Sequence, residues 1–122
     1  MVKKGFNSEM PIYLQIMTLL RSEIVSGEWK PGNQIPSVRE LAETLRVNPN
    51  TMQRALYELE REGLLCSERT SGRYVTDDEE KISQTKKEMA NEIIENCIAY
   101  LTHLGYTKEE IRRSFDGKGN ID

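Results

Sequence analysis

Two helix starts stand close together in this chain, at Ser37 and Asn48, and they leave few ways for it to fold. Ser37-Val38-Arg39-Glu40 has the spacing of a capping box, in which each side chain satisfies an orphan backbone N–H of the other's turn. A helix is predicted from Val38, with Val38, Leu41, Ala42 and Leu45 on its inner face. The pattern fails at Arg46-Val47-Asn48, where Asn48-Pro49 offers a fresh N-cap and first helical position. A third helix then carries Met52, Ala55, Leu56 and Leu59 inward, and Glu62-Gly63 ends it. Two short helices joined by three or four residues are the signature of a helix-turn-helix.

The flanking segments extend that reading. From Pro11 to Ser26, Ile12, Ile16, Leu20 and Ile24 recur every four residues, and Gly27 can terminate the helix they imply. The turn-rich stretch Glu28 to Pro36 follows, with Trp29 and Ile35 expected to anchor it on the core. After Gly63, Leu64 to Ser67 and Arg73 to Thr76 are short strands around a Ser71-Gly72 turn, a β-hairpin wing. The fold class expected is mainly α with a small β-hairpin: an N-terminal winged helix-turn-helix domain, residues 1–76, and a helical dimerisation segment, residues 77–122.

In that segment, Asp77-Asp78-Glu79-Glu80 opens a long helix with its acidic turn at the positive end of the dipole. Ile82, Met89, Ile93, Cys97, Tyr100, Leu101 and Leu104 run along one side of it to Gly105. Thr107 to Glu110 repeats the capping-box spacing and starts a last helix with Ile111 and Phe115. Two helices of this size bury too little surface to close a core between themselves. Their apolar side is therefore expected to pack on a second copy, giving a homodimer.

Composition narrows the function. At 122 residues, neither a catalytic barrel nor a dinucleotide-binding fold fits. The apolar runs are short and no secretory signal opens the chain, so a cytoplasmic protein with no membrane partner is expected. Cys66, Cys97 and the single histidine, His103, cannot make a four-ligand zinc site in one chain, and both cysteines are expected as buried reduced thiols. No phosphate loop or catalytic constellation is present, so neither an enzyme nor a bound cofactor is expected.

The second helix of a helix-turn-helix enters the major groove and meets base edges with its first residues. With the apolar positions inward, Asn50, Thr51, Gln53, Arg54 and Tyr57 are left outward. Asn and Gln pair with adenine, Arg with guanine, and a Thr methyl touches thymine. Arg39 sits in a helix first turn, where a cation is unfavourable unless a phosphate or base faces it. Arg69 and Arg73 flank the wing turn, from which a basic tip can reach the DNA backbone. Each has a plainer alternative: a solvated helix face, support for the Asn48 cap, an Arg39–Glu43 surface pair, or charge that blunts a sheet edge. Residues 37–76 hold six Arg, six Glu and no Lys, so any DNA surface must be local and the salt dependence shallow. That neutrality also supports the competing reading, a winged-helix module that binds protein.

The residues resemble the GntR family of bacterial transcription regulators. The pattern runs Pro11-Ile12-Tyr13-x-Gln15-Ile16, Gly27-x-x-x-Pro31-Gly32-x-x-Ile35-Pro36-Ser37-x-Arg39-x-Leu41-Ala42, Val47-Asn48-x-Asn50-Thr51-x-x-x-Ala55-Leu56-x-x-Leu59-x-x-Glu62-Gly63-Leu64 and Gly72-x-Tyr74-Val75, covering residues 11–75. The resemblance implies double-stranded DNA as partner, approached by Ser37, Arg39, Asn50, Thr51 and Gln53, with the wing from Arg69 through Ser71 and Gly72. Thr70 stands where many relatives have the first Gly of a Gly-x-Gly wing, and Pro49 replaces a frequent Ser or Arg. The short two-helix tail is similar to that of the YtrA-type branch, which implies a dimeric repressor of transporter operons. Its two recognition helices would sit about one DNA turn, ~34 Å, apart on a near-palindromic operator. The resemblance leaves room for a small-molecule effector, for which the tail supplies no evident pocket-forming domain.

Overall fold

A computed structural model describes residues 9–68, 70–117, 119 and 121. In chain order the elements are α1 (Ile12–Val25), α2 (Val38–Leu45), α3 (Pro49–Arg61), β1 (Leu65–Glu68), β2 (Gly72–Val75), α4 (Glu79–His103) and α5 (Lys108–Asp116). The chain forms two compact units, residues up to Lys86 and residues from Lys87 on.

In the first unit the expected caps set the helices. Ser37 Oγ accepts from Glu40 N at 3.1 Å while Ser37 N donates to Glu40 Oε1 at 3.2 Å. Asn48 Oδ1 accepts from Asn50 N at 2.7 Å, and Pro49 takes the first helical position, where its missing N–H costs nothing. Arg46 joins α2 to α3 in the left-handed region, at φ 56° and ψ 51°, and the chain turns there because Val47 N reaches back to Ala42 O at 3.0 Å. The inner faces of α1, α2 and α3 meet the wing in one core of Ile16, Leu20, Ile24, Leu41, Met52, Ala55, Leu56, Leu59, Leu64 and Val75. Burying each large side chain stabilises by about 1.5–3 kcal/mol. Ile35 is buried and Trp29 packs at the edge of this core, so the connection after α1 is anchored as its apolar residues suggested.

The strands begin one residue away from the expected positions. Leu64 N closes α3 by donating to Leu59 O at 3.1 Å, so pairing starts at Leu65↔Val75 and ends at Glu68↔Gly72. With period-two alternation, Leu65 then points inward and Cys66 outward. The expected burial of both thiols is thus corrected: Cys66 is exposed and Cys97 half-buried. Burial of its sulfur, with Glu68, Asp77 and Glu60 nearby, still pushes the Cys66 thiol up, away from a reactive thiolate. The chain before α2 pairs with β2 as well: Gly32 N donates to Val75 O, Val75 N to Asn33 O and Ile35 N to Arg73 O, at 3.0, 2.9 and 3.0 Å.

The opening turns of α4 belong to the first unit, and Ile82, expected on the dimer face, packs against that unit's core instead. In the second unit, the rest of α4 turns at Gly105 into α5, which Thr107 and Glu110 cap reciprocally. Ile111 is buried there, and Met89, Cys97, Leu101 and Tyr106 are half-buried. Ile93, Tyr100, Leu104 and Phe115 stay largely exposed.

Candidate nucleic-acid interface

The first turns of α2 and α3 both present exposed polar side chains. Because Asn48 supplies the α3 cap, the Asn50 side chain is not needed there; Asn50 and Gln53 are exposed, and their side chains make no hydrogen bond among the described residues. Thr51 is half-buried, and Tyr57, two turns along, is 56% exposed. The Arg54 guanidinium lies 3.8 Å from the centre of the Tyr13 ring of α1. A cation–π contact at an exposed site is worth about 0.5–1 kcal/mol, enough to favour one orientation of the cation without neutralising it. On α2, Ser37 is engaged as a cap acceptor but keeps its own O–H to donate. Arg39 is exposed and forms no ion pair among the described residues, so the surface pair with Glu43 is absent.

Half of the six Glu that balance the six Arg sit at the far end of α3. Its later turns carry Glu58, Glu60 and Glu62, each paired with an arginine: Arg61 at 3.1 Å, Arg73 at 2.5 Å and Arg21 at 2.6 Å. The leading half of α3 carries Arg54, which has no carboxylate partner among the described residues, together with the positive pole of the helix. Along α3 the charge is therefore favourable to phosphate at the leading end, although the sum over residues 37–76 is zero and α2 carries Glu40 and Glu43 beside Arg39.

Between the start of α2 and the wing turn runs a groove of about 700 Å³, whose lining includes Gln34, Ser37, Arg39, Ser71, Gly72 and Arg73. It brings together the expected residues of α2 and the wing, with Gly72 at φ +104°, a conformation glycine adopts without a Cβ clash. Arg69 lies outside the described residues. Arg73, read from the sequence as part of a basic tip, is mostly covered and paired with Glu60. Gln34 is a residue that sequence reasoning missed: its Nε2 donates to Ser71 O across the groove. Tyr13, under Arg54, is another. Both stand inside recognised motif segments, but their partners lie far along the chain. Among the described residues no cluster of His, Cys, Asp or Glu could hold a metal ion, and no helix is long and apolar enough to cross a membrane.

Comparison with known proteins places this geometry. Residues 12–75 match the bacterial regulatory proteins of the gntR family. The HTH-type transcriptional repressor YtrA of Bacillus subtilis (strain 168) is 37% identical over 101 residues, spanning 78% of this chain and 78% of that one. A GntR family transcriptional regulator from Listeria monocytogenes, of solved structure, is similar with a TM-score of 0.83 and 40% identity, over 91% of this chain and 97% of that one. The DNA-binding domain of AraR, solved in complex with operator ORX1, is 31% identical with a TM-score of 0.55, over 62% of this chain and 93% of that one. With the family pattern over more than half its length and a relative matched along most of both chains, this chain belongs to the gntR family of bacterial regulatory proteins, as a winged-helix, DNA-binding transcriptional regulator.

Proposed function

We propose that the chain acts as a homodimeric repressor that holds a near-palindromic operator with two copies of its α3 leading end. The observation that carries this reading is the bare polar start of α3, where the side chains of Asn50 and Gln53 make no hydrogen bond among the described residues, together with Arg39 and Arg54, which have no carboxylate partner among them. Amide side chains so placed can satisfy the donor and acceptor pattern of adenine in the major groove, and the two cations supply phosphate or guanine contacts. Ser37, Ser71 and Gly72 face the same groove and suit one sugar–phosphate backbone. The operator complex of the AraR domain supports this mode, and the repressor YtrA supports the direction of regulation. The regulated operon, for which the family resemblance suggests transporter genes, is defined by the duplex the protein selects.

Dimerisation is assigned to the second unit. There, a cavity of about 680 Å³ between α4 and α5 is lined mainly by apolar side chains, among them Ile93, Ile94, Ile98, Ile111 and Phe115. An apolar surface of this kind on so small a unit suits a second copy, and a twofold pair would present both α3 helices to one face of a duplex.

Fluorescence anisotropy with duplexes from upstream of the encoding gene tests the reading. Arg39→Ala is expected to weaken binding on every duplex and to lower the salt slope by about 0.9. Gln53→Ala is expected to cost about 1–3 kcal/mol at a single base position and relax preference there. Binding indifferent to sequence and unaffected by Arg39→Ala would instead support a protein-binding module.

A further inference from the structure

Resting on the DNA-binding reading, we propose that Glu60, Arg73 and Gln34 are positioning residues that lock the wing to the recognition helix and so fix the groove the DNA backbone enters. Three ties converge on β2 and the turn before it. Arg73 Nε donates to Glu60 Oε1 at 2.5 Å, joining the second residue of β2 to the last turns of α3. The pair is mostly covered, with side chains 16% and 24% exposed. Arg73 shares its strand face with Val75, which is in the core, so the guanidinium is held on the α3 side of the hairpin. On the groove side, Gln34 donates to Ser71 O, and its Nε2 lies 3.1 Å from where a Cβ on Gly72 would stand. The wing turn is thus seated on Gln34. The third tie is the backbone pairing of Asn33 and Ile35 with β2.

A two-stranded hairpin is marginally stable alone and needs other surfaces to hold its orientation. Here the fixings come from α3 and from the segment leading into α2, the two elements that carry the reading residues. The wing, α2 and α3 therefore approach a duplex as one piece. Arg73 acts through this placement and not as a phosphate ligand, since its charge is already answered by Glu60.

The sign of one substitution separates the two roles. Were Glu60 merely an anion near DNA, Glu60→Gln would remove repulsion, free Arg73 for phosphate and raise affinity. Positioning requires the reverse, a loss of about fivefold, within the range measured for coupled pairs, with the salt slope kept. Arg73→Ala should give a similar loss, and the charge exchange Glu60→Arg with Arg73→Glu should recover most of it. A guanidinium needed at the DNA would not be recovered by that exchange. Gln34→Ala should weaken binding on all duplexes without altering base preference.

Hydrogen exchange on the free protein reads the lock without DNA: the amides of Gly72 and Arg73 should exchange faster in Glu60→Gln, with the melting temperature of the first unit recorded alongside. Unchanged exchange overturns the lock whatever binding does. Faster exchange with equal or higher affinity overturns its link to DNA. A wild-type chain that retains no upstream duplex, but shows the exchange difference, would overturn the operator reading on which that link rests.

Discussion

The two units of this chain use the same devices, capped helices with apolar stripes, and come to opposite ends. In the first unit the stripes of α1, α2 and α3 converge, and Ile16, Leu20, Met52, Leu56 and Leu59 are fully buried. In the second, α5 is as well capped as α2, yet among the described residues Ile111 alone of the large hydrophobics is buried, while Ile93 is 67% and Phe115 61% exposed. Capping sets where a helix begins; it does not decide whether the stripe finds a partner in its own chain. The first unit closes its core and is left with a polar edge to spend on DNA. The second is left with an apolar face, and that face is what a second copy would cover.

The largest effect tests that contrast directly. If the second unit pairs two copies as proposed, Ile93→Asp is expected to yield a monomer in analytical ultracentrifugation, with half the wild-type particle mass, while the unfolding midpoint of the first unit stays put. An unchanged mass would remove Ile93 from the interface. Next in size, Leu56→Ala should destabilise the first unit by about 3 kcal/mol, since a fully buried leucine leaves a cavity that a three-helix core cannot collapse. Urea titration gives the value, and a loss under 1 kcal/mol would mean the core is far looser than its burial indicates.

These contrasts also show what was legible in the sequence. Helix starts were, because a cap is made within four residues: Ser37 with Glu40, Asn48 with Asn50, Thr107 with Glu110. The inner stripe of α3 followed from spacing, as did Ile16, Leu20 and Ile24 of α1, though Ile12 at the start of that stripe is exposed and Met17 is buried instead; the outward set of Asn50, Gln53, Arg54 and Tyr57 was what remained. Ties between distant residues left no periodic trace. Gln34 meets Ser71, Arg73 meets Glu60 and Arg54 meets Tyr13 only after the hairpin and helices have packed. The same holds for Ile82, whose spacing fits the stripe of α4 but whose position places it on the first unit's core. Cys66 alternates with the buried Leu65 and so faces outward, which the short run Leu64-Leu65-Cys66 did not reveal because its residues are all apolar.

A smaller effect sits in the turn between α2 and α3. Arg46 occupies the left-handed region, where an L side chain is disfavoured and glycine is at ease. Arg46→Gly should stabilise the first unit by about 0.5–1 kcal/mol, part of the relief being offset by the freer unfolded chain. Thermal unfolding measures it. A destabilised variant would mean the Arg46 side chain makes a contribution that outweighs its backbone strain.

The smallest effect concerns the cap of α5 and brings the comparison back to the second unit. Glu110 Oε1 accepts from Thr107 N at 2.9 Å, and Glu110 N donates to Thr107 Oγ1 at 3.1 Å. The backbone hydrogen bond from Thr107, then the one with its side chain, holds the Glu110 carboxyl below its ordinary 4.5, with a lesser contribution from Arg113. A carboxyl depressed on folding binds fewer protons in the folded than in the unfolded state across that window. The cap's contribution is therefore present above the ordinary value and is lost as pH falls through the depressed one. Hydrogen exchange of the α5 amides should accelerate on acidification in the wild type, beyond the intrinsic pH dependence of exchange. In Glu110→Gln the amide can still accept from Thr107 but cannot titrate, so that extra acceleration should vanish. If it persists, the acid sensitivity of α5 belongs to another carboxylate, and the exposed second unit is held by more than its cap.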